Sequence, residues 1–407
     1  MKRHKRMASG WVGILTVGVL LGISATAITA QAQCTPAQVE QLVATGGQGF
    51  DDFGRAMAVS GDWAVIASAR DDDNGTDSGS ATMFHFDGAQ WVEDVKLLAP
   101  DGSAGDEFGS AVAIDGDLVV VGAWKDQGIA PVHTRGSVYA FRNDGTSWNF
   151  EGRIAASDGS GIVQDFGIAV GLGNGRIVVG APGDNTIYSS SAGSVYSYVY
   201  NGGIWGAEVK ISPADGSVAH YFGESLAVAG GTVLIGARGD DEVASDAGAV
   251  YLYTTDTGQL IAKLQASDGV ANDGFGRQLA LSGNTAVVYG KNYGGTSGGA
   301  IYVFDYAGGL WSESGKIVES FASSSYNFGW GVAVSGDKVL VRESYKSKVY
   351  LFGRSGAQWS EQGTLVPTGT GYGLYGARLA FSGDTALVGD QRWNNGGVKS
   401  GAVLFLI

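Results

Sequence analysis

Short bursts in which large and small residues alternate recur along the chain. Each opens on an aromatic-Gly pair: Phe53-Gly54, Phe108-Gly109, Phe166-Gly167, Phe222-Gly223, Phe275-Gly276, Phe328-Gly329 and, in degenerate form, Tyr375-Gly376. Counted from the aromatic, positions +4 and +6 are large and apolar (Met57 and Val59, Val112 and Ile114, Leu226 and Val228, Val332 and Val334), whereas +1 and +5 are Gly or Ala. A period of two predicts a strand with its small residues on one face. At +8 and +9 stand Gly61-Asp62, Gly116-Asp117, Asn174-Gly175, Gly230-Gly231, Gly283-Asn284, Gly336-Asp337 and Gly383-Asp384. Such pairs accept the positive φ of a two-residue hairpin turn.

A second apolar strand follows (WAVIASA, LVVVGA, RIVVGA, TVLIGA), and then a loop of variable length. A third strand comes next (GSVYAF from Gly136, GSVYSY from Gly193, GAVYLY from Gly248, GAIYVF from Gly299). The fourth is opened in most copies by a Trp: Trp91, Trp148, Trp205, Trp311 or Trp359. Four strands per unit in seven units, spaced 47 to 58 residues apart, predict an all-β, seven-bladed β-propeller. The last unit stops at its third strand, GAVLFLI, while QVEQLVATGG before Phe53 reads as a fourth strand with no blade of its own. That strand is expected to complete the last blade, burying Val39, Leu42 and Val43 and closing the ring, so that residues 33–407 form one domain. A composition of 68 Gly and 6 Pro, with no long helix-favouring stretch, agrees.

The N-terminus changes the expected location. A basic start, MKRHKRMASG, an apolar run from Trp11 and Ala30-Gln31-Ala32 predict a secretory signal over residues 1–32. The rival is an uncleaved anchor, for which the apolar run is short and diluted by Gly, Ser and Thr. Lipidation at Cys34 would want small residues before it, where Gln33 stands. A secreted, periplasmic or cell-surface location follows, with no stable membrane insertion after cleavage. Cys34 is the only cysteine, so packing and hydrogen bonds must hold the domain without an internal disulfide. The formal charge of −14 becomes −18 once Lys2, Arg3, Lys5 and Arg6 are removed with the leader. A surface of that sign repels nucleic acid and suits cations or basic partners.

The third copy, Phe166-Gly167 followed by Gly180-Ala181-Pro182, resembles the FG-GAP repeat found in the propeller of integrin α subunits and in many bacterial exported proteins. The resemblance covers about residues 38–407. It implies a propeller that binds partners. Integrin repeats of this type carry a calcium loop between the first and second strands. Here that connection is a two-residue turn in all seven copies, so those metal sites are not carried over.

Candidate chemistry falls on the long connections, from fourth to first and from second to third strand, which emerge on one face. They hold Asp71, Asp72, Asp73, Asp77, Asp101, Asp106, Asp158, Asp165, Asp215, Asp240, Asp241, Asp246, Asp268 and Asp273. Asp101, Asp158, Asp215 and Asp268 each precede Gly at the same place in their unit and read as Asp-Gly turns. In ARDDDNGTDSG, Asp71, Asp73 and Asp77, with Asn74, are spaced to wrap oxygen ligands around calcium. A plain solvated acidic loop is the alternative there. Arg238-Gly239-Asp240 spells an adhesion tripeptide, but Gly239 and Asp240 align with Gly183 and Asp184 of the third copy and read as loop architecture. His85, His133 and His220 come from unrelated parts of the repeat. Gly295-Thr296-Ser297-Gly298-Gly299 and Gly371-Tyr372-Gly373-Leu374-Tyr375-Gly376 match nucleophile and dinucleotide strings without the helix those motifs need. The reading is a monomeric, non-catalytic binding propeller engaging a protein or glycan through the acidic loop face. The alternative is an exported carbohydrate-active enzyme, hydrolase or lyase, with a carboxylate pair at the channel mouth.

Overall fold

The computed structural model describes residues 37–47, 49–127, 135–158, 165–184, 192–200, 204–213, 221–291, 298–318, 328–344, 347–366, 378–390 and 401–406. Of these, the side chains of 37–39, 207 and 401–406 are not described. The expected leader, Cys34 and the side chain of Val39 lie outside that set. Every element among the described residues is a β-strand.

The strands form seven antiparallel four-stranded sheets. Six blades are each made of four consecutive strands; the first comprises Phe53–Ser60, Trp63–Ser68, Ser80–Phe86 and Trp91–Leu97. The other sheet is composite: Leu379–Ser382, Thr385–Asp390 and Gly401–Leu406 are completed by Ala37–Leu42 from the start of the chain. That added strand runs antiparallel to Gly401–Leu406, with Ala37 opposite Leu406 and Leu42 opposite Ala402. Every first strand touches the first strand of the next sheet, and Leu379–Ser382 touches Phe53–Ser60. The sheets are therefore arranged around an axis with their first strands innermost, and this decides where small residues must go. We number the consecutive-strand sheets one to six from Phe53.

Gly122, on the second strand of sheet two, faces Gly167 of sheet three so closely that a Cβ on it would sit 2.0 Å from the Gly167 carbonyl oxygen. Gly180 meets Gly223 at 2.0 Å, Gly236 meets Gly276 at 2.1 Å, and Gly389 of the composite sheet meets Gly54 of sheet one at 2.7 Å. At these four junctions the recurring glycines are thus the two halves of an inter-sheet contact that admits no side chain. Beside it the aromatic of the aromatic-Gly pair is buried and packs edge-on against the tyrosine of the third strand, as in Phe108–Tyr139 and Phe166–Tyr196, at 5.4 and 5.6 Å. These phenylalanines sit in hydrophobic clusters between neighbouring sheets, where most of the apolar area is buried.

Outer strands are stitched too. A glutamate of one sheet accepts from a backbone N–H at the end of the preceding outer strand: Ser157 to Glu208 at 3.0 Å, Ser267 to Glu313 at 3.1 Å, and Thr45 to Glu93 at 2.8 Å. The last of these ties Ala37–Leu42 to sheet one just as consecutive sheets are tied to each other. One expectation needs correcting. Leu42 is buried as the alternation implied, but Val43 is 39% exposed because the strand ends at Leu42 and the chain turns away.

A chain begun at Gly47 would lose ladder hydrogen bonds worth about 1 kcal/mol each and the burial of Leu42, about 1.5–3 kcal/mol. Calorimetry should show it melting roughly 10 °C lower or without a cooperative transition, whereas a chain begun at Pro36 should melt normally; equal melting of the two would mean the added strand is dispensable. Gly180→Ala forces a Cβ against the Gly223 carbonyl oxygen and should cost about 3 kcal/mol or more. Gly116→Ala, in open space at φ +58°, should cost only about 1–2 kcal/mol; urea titration separates the two.

Candidate functional site

In these antiparallel sheets the start of the first strand, the end of the second, the start of the third and the end of the fourth lie at one edge. The long connections therefore share one face around the axis, and the other face carries two-residue turns such as Gly61-Asp62 and Gly116-Asp117. This loop face holds most of the acidic residues singled out above.

Two of its loops are copies of one design. In residues 71–79, the buried Asp71 accepts from the Asp73 N–H at 3.0 Å and from the Ser80 hydroxyl at 2.9 Å. Its carbonyl accepts from the Gly79 N–H at 2.8 Å, and Asp72 accepts from the Asp77 N–H at 2.8 Å. In residues 240–248, Asp240 accepts from the Glu242 N–H at 3.0 Å and from Tyr251 Oη at 2.7 Å. The Asp240 carbonyl accepts from the Gly248 N–H at 2.9 Å, and Asp241 accepts from the Asp246 N–H at 2.6 Å. Asp77 and Asp246 both take the left-handed backbone conformation, with φ of 52° and 51°.

Each loop closes on a lysine from the fourth strand of its own sheet. Lys96 Nζ lies 2.9 Å from Asp71 and 2.8 Å from Asp73, and Lys263 Nζ lies 2.8 Å from Asp240 and 2.5 Å from Glu242. Burial works against the charge on Lys96, yet the hydrogen bonds to Asp71 and Asp73 outweigh it and its pKa is raised. This geometry bears on the calcium expectation. An ammonium group already stands between Asp71 and Asp73, and Asp77 contributes a backbone N–H to the loop. As they stand the three carboxylates do not fit a calcium ion, and among the described residues no group of three or more His, Cys, Asp or Glu converges as a metal would require.

In sheets two, three and five the lysine or arginine reaches an acid of the preceding sheet as well. Tyr139 Oη lies 2.8 Å from Asp101 and 2.9 Å from Asp126, and Arg153 bridges the same two carboxylates at 3.0 and 2.8 Å. Tyr196 and Lys210 do likewise between Asp158 and Asp184; Tyr302 and Lys316 hold Asp268 at 2.7 and 2.8 Å. Asp101, Asp158 and Asp268 are therefore turn residues that also latch one sheet to the next. Asp215 lies outside the described residues. The basic partner was legible and missed: Lys96, Arg153, Lys210 and Lys316 each stand five residues after the Trp of their strand.

The adhesion tripeptide is not on display. Asp240 is 1% exposed and bound as above, while Arg238 pairs with Glu224 and lies over the Tyr221 ring, 3.8 Å from its centroid. His85 packs on Trp63, its ring 4.6 Å away. His133, His220, Gly295 to Ser297 and Gly371 to Gly376 lie outside the described residues. Among the loop acids, Asp106 and Asp165 have raised pKa values, in both cases through burial first.

Four-stranded antiparallel sheets set around an axis with their first strands innermost define a β-propeller. The FG-GAP repeat profile matches residues 36–84, 91–141, 148–200, 205–253 and 259–304. The chain belongs to the FG-GAP repeat family, whose propellers include that of integrin α subunits. Each matched segment begins at an outer strand and ends at the third strand of the next sheet, so the family unit straddles a sheet boundary; the first one includes Ala37–Leu42. No curated protein matches the chain.

Lys263→Met would leave the buried Asp240 without its counter-ion, for roughly 2–3 kcal/mol after allowing for the partial exposure of the lysine. Lys338→Met, which removes a partner of the well-exposed Asp384, should cost under about 0.5 kcal/mol in the same urea titration.

Proposed function

We propose that the protein is an exported, non-catalytic binding propeller of seven blades, the composite sheet being the seventh, that engages a protein or glycan through its loop face. The observation that carries this is the placing of apolar tips on otherwise acidic, internally tied loops. Phe50 is 89% exposed and held at φ 76°, a conformation costly for a bulky residue, and Val243 is 46% exposed beside Glu242 in the loop pinned by Lys263. Aromatic and apolar side chains presented on rigid, polar-rimmed loops are what partner recognition uses. The exposed acids Asp73 and Glu242 supply the electrostatic part, favouring basic or cation-bearing partners. Any calcium bound at Asp71, Asp73 and Asp77 would have to displace Lys96.

Export is supported by the N-terminal pattern alone, and material recovered outside the cytoplasm should begin at Gln33. Screening the purified protein on protein and glycan arrays should find a ligand whose affinity falls at least about tenfold in Phe50→Ser/Val243→Ser. Because both sites are exposed, melting should move little. The carbohydrate-enzyme reading is favoured by one observation: burial, then the neighbouring Asp126, holds the Asp106 carboxyl above its ordinary range, partly offset by the Ser103 N–H. Turnover of a polysaccharide or glycoside that disappears in Asp106→Asn would replace the binding reading by that one.

A further inference from the structure

Arginines from three adjacent sheets lie at the loop-face ends of their strands near the axis. Arg55 follows the Phe53-Gly54 pair, within the irregular stretch of register between Phe53 and Met57. Arg378 immediately precedes Leu379, and its carbonyl accepts from the Gly389 N–H at 3.0 Å. That same Gly389 abuts Gly54, the neighbour of Arg55. Arg342 is on the second strand of sheet six, at the place where other sheets carry the contact glycine, and is buried. The innermost strands of sheet six, the composite sheet and sheet one lie side by side.

These guanidinium groups feel one another. Burial first, then Arg55 and Arg342, push the Arg378 pKa down to about 10. The acids on hand are Glu343 and Asp390, both fully buried, and Asp390 lies close enough to Arg342 to favour its charge. Arg342, Glu343, Arg378 and Asp390 all have partners. On the other side of Arg55, Glu107 is engaged by Lys125 at 2.6 Å and by Trp124 Nε1 at 2.8 Å. Among the three arginines, Arg55 is the one with a buried nitrogen, its Nε, that has no acceptor. A buried donor left unpaired is uncommon and costly. Among the described residues, three guanidinium groups and Lys125 face three carboxylates, Glu343, Asp390 and Glu107, which leaves local positive charge on a protein whose formal charge is −14. Guanidinium groups bind carboxylate and phosphate in two-point geometry, and a site walled by protein strengthens that attraction.

We propose that the axial mouth between sheets six and one binds an oxyanion, a carboxylate or phosphate group, with Arg55 as the donor that the anion completes. This goes beyond the partner reading above, since it concerns the axis and not the rim loops, and it is tested without a macromolecular partner. The full chain is melted in sodium phosphate, sodium glucuronate or neutral methyl glucoside, at ionic strength held constant with sodium chloride. A saturable rise with phosphate, glucuronate or both, absent with the glucoside, is expected. A response to phosphate alone points to a free inorganic anion, and one to glucuronate points to the acid group of a carbohydrate. Arg55→Gln should weaken the effect about tenfold or more, and Arg55→Lys, which keeps the charge but not the fork, should fall between. Melting that follows ionic strength only overturns the site, as does unchanged affinity in both Arg55 variants.

Discussion

The closeness of neighbouring sheets near the axis is the constraint on which the rest of the structure depends. Gly122 against Gly167, Gly180 against Gly223, Gly236 against Gly276 and Gly389 against Gly54 bring backbone to backbone with no room for a Cβ. Inner strands set this close can carry bulk only on the face turned toward the neighbouring sheet, which is why large and small residues alternate so strictly after each aromatic. The exceptions are instructive. Ala67 opposes Gly109, where a Cβ would lie 2.5 Å from the Ser80 carbonyl oxygen and 3.0 Å from the Ala67 Cβ, so there the first-strand glycine alone keeps the contact open. Tyr289 and Arg342 occupy the same place in sheets five and six with side chains far too large for the contact. Tyr289 runs across Gly329 toward Trp330, and Arg342 joins the arginines at the mouth. Where a large residue replaces the second-strand glycine, a polar side chain enters the space between the sheets.

Charge on the loop face is arranged by the same packing. In sheets two, three and four the aromatic of the aromatic-Gly pair packs on the third-strand tyrosine, whose hydroxyl meets a buried aspartate. A lysine or arginine from the fourth strand then neutralises that aspartate. An acidic sequence thus folds into a face on which many carboxylates are already satisfied from within, and the few that reach solvent, such as Asp73 and Glu242, are held on loops tied at several points. Surface ion pairs contribute little by themselves. These contribute more because one member of each is almost wholly buried, so removing the cation leaves a desolvated carboxylate.

The sequence by itself determined the strands, their order and their turns, because a period of two, Gly-Asp turns and the aromatic-Gly pair are local signals whose physics does not depend on what lies across the sheet. It also pointed to Ala37–Leu42 as an extra strand, since the last unit lacked one. It did not decide what Asp101, Asp158 and Asp268 do, because an Asp-Gly turn looks the same whether its carboxylate faces water or the tyrosine of the next sheet. It misjudged Val43, whose exposure depends on where the strand stops. Asp71, Asp73 and Asp77 read as oxygen ligands on spacing alone, and only the tertiary structure brings Lys96, 25 residues beyond Asp71, between two of them. The meeting of Arg55, Arg342 and Arg378 was likewise invisible along the chain, since sheets at its two ends become neighbours only when an inner strand near its end packs against the first inner strand at its beginning.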